Sequence, residues 1–163
     1  MAEDLSIIAG SKQEQYQSLF PQIKSLLDGE PDVIANLANT VGALKEQFGW
    51  LWVGFYVVKK SIDFNEDELV LAPFQGPVAC TRIKKGKGVC GASWAEAKTL
   101  IVPDVEKFPG HIACSSLSKS EIVVPVIRNG EVVAVLDIDS EQPDQFDTTD
   151  QYFLEQITEL INF

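Results

Sequence analysis

No run of this chain approaches the roughly 18 consecutive apolar residues that a membrane span requires. Its first residues, Met1 to Ser11, carry Glu3 and Asp4 and no basic residue, so a secretory leader is not expected. Basic charge is short as well. Lys and Arg number 13 against 24 Asp and Glu, for a net charge of −11. That balance argues against nucleic acid or an anionic membrane as partner, because both are bound through basic surface. Cysteine occurs three times and histidine once. An odd count of thiols fits poorly with a secreted disulfide framework. The expected location is the cytoplasm, where thiols stay reduced and remain available for reaction or metal binding.

What is present is ordinary globular material: 163 residues, 45% hydrophobic and 23% charged. A chain of this length buries roughly 70% of its unfolded surface and can build a core without disulfide staples. There is no repeat, low-complexity stretch or linker, so a single domain is expected over 1–163. Two helices are expected in 1–47. In 12–28, Tyr16, Leu19, Phe20, Ile23 and Leu27 share a side, with Pro21 a candidate kink. Beyond Asp28-Gly29-Glu30-Pro31, with Pro31 in a first turn, Val33, Leu37, Val41 and Leu44 mark the second helix. The rest, 50–163, carries the sheet. Trp50 to Val58 and Glu68 to Gln75 read as strands, Cys90 to Ala97 as a short helix, and Leu100 to Val102 as a strand. Glu106 to Lys119 has no period and reads as a loop. Ile122–Ile127 and Glu131–Ile138 flank Asn129-Gly130, a strong hairpin signal. Asp147 caps a last helix striped by Phe153, Leu154, Ile157, Leu160 and Ile161. Helices at both ends and five or six short strands between them imply an α+β fold with a mostly antiparallel sheet.

Chemistry can enter at the thiols. Cys114 follows Phe108-Pro109-Gly110-His111 in a loop with small neighbours, an accessible setting. Cys90 stands at a helix start, where the dipole lowers a thiol pKa. Cys80 follows a strand. Each of the three can also be read as a small buried hydrophobe. A zinc site from Cys80, Cys90, His111 and Cys114 is a second reading, but structural zinc sites bring their ligands in close pairs and only His111 and Cys114 are close. His111 can instead lower the Cys114 pKa or stand as a hydrogen-bonded loop residue.

The strand from Val132 is apolar on both faces until Asp137 and Asp139, which share a face. Two carboxylates at the end of a buried strand are costly unless they bind a cation or ammonium, hold a proton, or reach solvent. Glu121 begins the partner strand. A two-residue turn pairs Arg128 with Glu131 and, counting back, Glu121 with Ile138, which turns Glu121 away from both aspartates. A one-residue bulge, with Pro125 the candidate, or a longer turn reverses that. In Trp52-Val53-Gly54-Phe55-Tyr56, Trp52 and Tyr56 share a parity with Gly54. They are either core or the wall of a ligand space opened by the glycine.

Together these segments resemble the free methionine-(R)-sulfoxide reductases, built on a GAF domain. The resemblance is carried by Trp52-Val53-Gly54-Phe55-Tyr56, Gly76-Pro77-Val78-Ala79-Cys80, Gly88-Val89-Cys90-Gly91, Phe108-Pro109-Gly110-His111-Ile112-Ala113-Cys114, Ser120-Glu121-Ile122-Val123-Val124-Pro125 and Leu136-Asp137-Ile138-Asp139-Ser140. It covers about residues 30–160, and departs at Ser115, where that family often has an acid. The resemblance implies an oxidoreductase that reduces free L-methionine (R)-sulfoxide and is recycled by thioredoxin, with no cofactor and no metal. It implies Cys114 as nucleophile, Cys80 as resolving thiol, Cys90 as relay or alternative, and Glu121 and Asp139 as acids toward the sulfoxide oxygen. Asp137 and its neighbours then pair the substrate ammonium, and Trp52 and Tyr56 enclose the S-methyl group. Backbone N–H groups near 88–91 or 110–116 are candidates for the substrate carboxylate. A homodimer through the N-terminal helices is also implied. The alternative is a GAF sensory module that binds a small ligand without catalysis.

Overall fold

The computed structural model describes residues 4–112 and 115–163. Two helices lead: α1 (Lys12–Leu27) and α2 (Val33–Phe48). The strands and remaining helices follow in the order β1 (Trp52–Lys60), β2 (Asp67–Gln75), β3 (Arg82–Lys84), α3 (Gly88–Glu96), β4 (Leu100–Val102), β5 (Ser120–Arg128), β6 (Glu131–Ser140) and α4 (Thr148–Glu159). All six strands form one sheet in the spatial order β3-β2-β1-β6-β5-β4, antiparallel at every pairing. The expected α+β architecture is therefore the one observed. The short edge strand β3, where no apolar alternation marks the sequence, was not expected as a separate element.

Pro21 lies inside α1 and does not end it. The residue is exposed, so the carbonyl that loses its donor one turn earlier faces water. Pro31 falls just outside α2, whose N-cap is Asp32, accepting from the Ala35 N–H. Pro125 sits well inside β5. It is tolerated because β4 pairs only with Glu121–Val123, leaving β5 without a neighbour on that side at Pro125.

The sheet separates two apolar layers. On one face, Val53, Phe55, Ile122, Val124, Leu136 and Ile138 pack against α1, α2 and α4. On the other, Trp52, Tyr56, Val123 and Val135 pack with Cys90 and Trp94 of α3. The helical layer is locked where α1 meets α4. The Tyr16 hydroxyl donates to Asp150 Oδ1 at 2.8 Å, and Lys12 pairs with Asp150 and Asp147. Asp150, fully buried, also accepts from the Asp147 N–H in the capping box of α4. One carboxylate thus starts α4 and fastens α1 to it. Tyr16→Phe removes a donor from that buried carboxylate, and urea unfolding should show a loss of about 1–3 kcal/mol.

Candidate active site

The second face of the sheet carries the polar groups, and strand register decides which. Between Val126 and Ile127 the β5–β6 ladder shifts by one. Ile127 opposes Val132 and Val126 opposes Ala134, so Val133 has no counterpart. Val133 and Ala134 both turn toward the helical layer, and alternation resumes beyond them. Glu121 consequently opposes Asp139, with Asp137 opposite Val123 on the same face. The offset required by the sequence argument is present. It lies at Val133 on β6 rather than at Pro125, next to the turn where the ladder is least constrained.

A cavity of about 590 Å3, counting its mouth, opens on this face. Trp52, Tyr56, Cys90, Glu121, Asp137 and Asp139 all line it, so strands β1, β5 and β6 and helix α3 converge there. Lys87, Ser118 and His111 also reach it. Cys114 lies outside the described residues. Cys80 is disulfide-bonded, whereas Cys90 is a free, buried thiol.

The aromatic pair behaves differently from the expectation. Gly54 leaves no open space between Trp52 and Tyr56. A Cβ there would meet the Phe74 Cβ and the Trp52 ring, both at 2.4 Å. The glycine instead lets the Trp52 ring lie over the strand, stacked between Phe74 at 5.3 Å and Tyr56 at 5.9 Å. The polar tips of both rings are engaged. Trp52 Nε1 donates to the Pro77 carbonyl at 3.0 Å, and the Tyr56 hydroxyl donates to the Cys80 carbonyl at 3.0 Å. Two side chains of β1 therefore hold the 77–80 segment against the cavity, each through a backbone acceptor that no residue-type pattern reveals.

Cys90 is the third residue of α3, in the polarity that favours a thiolate, yet its thiol is pushed well up. Burial is the main cause, followed by the charges of Asp137 and Glu121. The dipole argument from sequence is overturned: with the side chain 4% exposed and facing carboxylates, desolvation and like charge outweigh half a helix charge. Gly91 beside it has no alternative, since a Cβ would stand 2.5 Å from the Lys84 carbonyl.

The carboxyls are crowded. Glu121 and Asp137 are 5% and 7% exposed. Burial and then the charges of Asp137 and Asp139 drive Glu121 well above the usual carboxylate range. Asp137 rises chiefly through burial and then the charge of Asp139. Asp139 is raised to about 6 by burial, opposed by the Ser118 hydroxyl, which donates to its Oδ1 at 2.5 Å. Ser118 carried no signal in the sequence; it comes close through the loop that precedes β5. His111 Nε2 lies 3.6 Å from Glu121 Oε2. Burial lowers the histidine and raises the acid, so both shifts disfavour an ion pair between them. Asp137 Oδ1 has no hydrogen-bond partner among the described residues. Such a pocket favours a bound cation, or a neutral acid that donates to an oxygen.

An acid raised by folding binds more protons folded than unfolded, so it weakens the fold as pH rises through the gap. For Asp139 that gap runs from 3.8 to about 6. Unfolding free energies from urea titrations should therefore fall from about pH 4 to about pH 7, by up to about 3 kcal/mol for this group. Asp139→Asn, which still accepts from Ser118, should flatten that slope.

The GAF domain family matches residues 29–163. GAF domain-containing protein A of Dictyostelium discoideum is 62% identical over 99% of both chains. The free methionine-R-sulfoxide reductase of Saccharomyces cerevisiae is 44% identical over 93% of this chain and 86% of its own. The solved free methionine-R-sulfoxide reductase of Neisseria meningitidis, in complex with its substrate, superposes with a TM-score of 0.93 at 52% identity, covering 99% of this chain and 93% of that one. This chain belongs to the GAF domain family and, within it, to the free methionine-R-sulfoxide reductases.

Proposed function

We propose that this oxidoreductase reduces free L-methionine (R)-sulfoxide to methionine, with thioredoxin as its reductant. The observation that carries the reading is one cavity in which Glu121, Asp137 and Asp139 face the segment ending at Cys80, held there by Trp52 and Tyr56. In this reading the Cys114 thiolate attacks the sulfoxide sulfur. The oxygen passes to Cys114, leaving methionine and a cysteine sulfenic acid. Protonated Glu121 and Asp139 hydrogen-bond the sulfoxide oxygen and make it a better leaving group. Burial and neighbouring acid charge raise the proton affinity of Glu121, which suits a proton donor, while Asp139, raised to about 6 by burial, holds its proton more tightly than an ordinary aspartate. Cys80 then displaces water from the sulfenic acid to form a disulfide, and a dithiol partner reduces it by exchange. That Cys80 is disulfide-bonded supports its reading as the resolving thiol. Cys90 suits a neutral thiol rather than a relay, because burial and acid charge suppress its thiolate.

The zwitterion has complementary places. Asp137 offers its unpartnered Oδ1 to the ammonium. The substrate carboxylate goes to the start of α3, where no side chain caps the backbone N–H groups and Lys87 stands at the N-cap and lines the cavity. A peptide-bound residue lacks both charges and is rejected. No described helix is long and apolar enough to cross a membrane, which accords with a cytoplasmic enzyme. Helix α1 is proposed as part of the same domain over 1–163, as its tie to α4 supports.

NADPH oxidation coupled through thioredoxin and thioredoxin reductase tests the activity. Turnover is expected with the free R epimer, and its absence would sink the proposal. Cys114→Ser should abolish even a single turnover, whereas Cys80→Ser should complete one turnover and then stall. Lys87→Ala should raise KM roughly tenfold, the size of one charge-assisted hydrogen bond, with kcat little changed.

A further inference from the structure

Cys90 is set against a redox role by its surroundings, and those surroundings suggest another. One ligand atom each from Cys90, Glu121 and Asp137 lie within 4.8 Å of one another. The three come from different elements, α3, β5 and β6, so no local chain geometry forces them together. All three are buried, yet all line a cavity with a mouth. Asp137 supplies an independent sign of a missing ligand: its Oδ1 is buried and has no hydrogen-bond partner among the described residues. A buried carboxylate oxygen left without a donor is costly, and a cation satisfies it outright.

We infer that Cys90, Glu121 and Asp137 form a binding site for a thiophilic divalent cation of the Zn2+ class, reached through the cavity. One sulfur and two carboxylate oxygens are a borderline-soft donor set. Hard cations such as Mg2+ and Ca2+ take oxygen ligands and gain nothing from the sulfur. Ligands on one tetrahedral Zn2+ stand about 3.5 Å apart, given bonds of about 2.0–2.3 Å. The three groups therefore need to close in by little more than an ångström at most, the protons they now share giving way to the cation. Water entering through the cavity mouth can complete the shell. Binding forms a Zn–S bond and breaks the Cys90 S–H bond, and that proton passes to solvent with any held by the two carboxyls. There is no change of oxidation state. A cation seated here covers Asp137 Oδ1 and occupies the cavity floor, closing it to an organic ammonium. The site does not rest on the proposed reductase activity, because its readout is the metal itself.

The test uses the full-length protein oxidised until thiol counting finds one free thiol, so that Cys90 is the sulfur available. Zn2+ titration by calorimetry, in buffers of different ionisation enthalpy, should give one saturable site per chain with proton release. Co2+ in the same place should show a thiolate-to-metal charge-transfer band. Cys90→Ser should remove that band and weaken Zn2+ roughly tenfold or more, and Asp137→Asn should weaken Zn2+ while keeping a residual band. Circular dichroism on each variant separates lost ligands from lost fold, and Asp137→Asn carries the test if Cys90→Ser does not fold. Absence of saturable Zn2+ binding, or affinity unchanged in a folded Cys90→Ser or Asp137→Asn protein, overturns the inference.

Discussion

Three carboxyl groups share one face of the sheet because β6 carries one residue more than β5 needs beside the hairpin turn. With a regular ladder, Glu121 would oppose Ile138 and turn into the helical layer beside Leu136, where a carboxyl has nothing to bind and desolvation would be uncompensated. With Val133 left over, Glu121 faces Asp139 across the strands, and Asp137 stands on the same face. The electrostatics follow from that placement. Burial makes Glu121, Asp137 and Asp139 all hold protons more tightly than usual, and the charge of neighbouring acids adds to it for Glu121 and Asp137. The Cys90 thiol shares the effect. A cavity of this kind is poor at stabilising anions and good at donating protons or taking up positive charge.

The division of the sheet into two layers explains how the fold tolerates such a site. The helical layer holds most of the apolar contact and one fastening, Asp150, which joins α1 to the start of α4. The opposite layer is thinner, with α3 and loops in place of long helices. There, burial alone would not position the 77–80 segment. Trp52 and Tyr56 do so by reaching from β1 to two backbone carbonyls, and Gly54 is what lets the Trp52 ring lie flat enough to reach. Stability is concentrated where no chemistry occurs, while strained electrostatics sit where a ligand can relieve them.

Much of the architecture was legible because it is written in short-range patterns. Helical spacing located α1 and α2, Asp147 marked the start of α4, and Asn129-Gly130 marked the hairpin. The exceptions have local causes. Pro21 does not break α1 because its exposed side can be hydrated, and β3 is only three residues long at the sheet edge. The candidate site was legible only as residue types. Glu121 and the two aspartates could be named, but counting from the turn pointed Glu121 the wrong way, and only a bulge somewhere in the hairpin could turn it back. The thiol pKa expected of Cys90 from its place at a helix start is reversed by burial first and then by the charge of acids distant in sequence.

By itself, then, the sequence determined which elements form, the antiparallel design, and the thiols, acids and aromatic rings available to a site. It did so because periodicity, capping and turn chemistry act over a few residues. The tertiary structure alone decided that Val133 would be the unpaired residue, that the polar tips of Trp52 and Tyr56 would hold the Cys80 segment, and that Cys90 would be a protonated thiol among buried acids. Those outcomes depend on register, on desolvation and on charges brought together from separate strands and helices, and no local stretch of chain contains them.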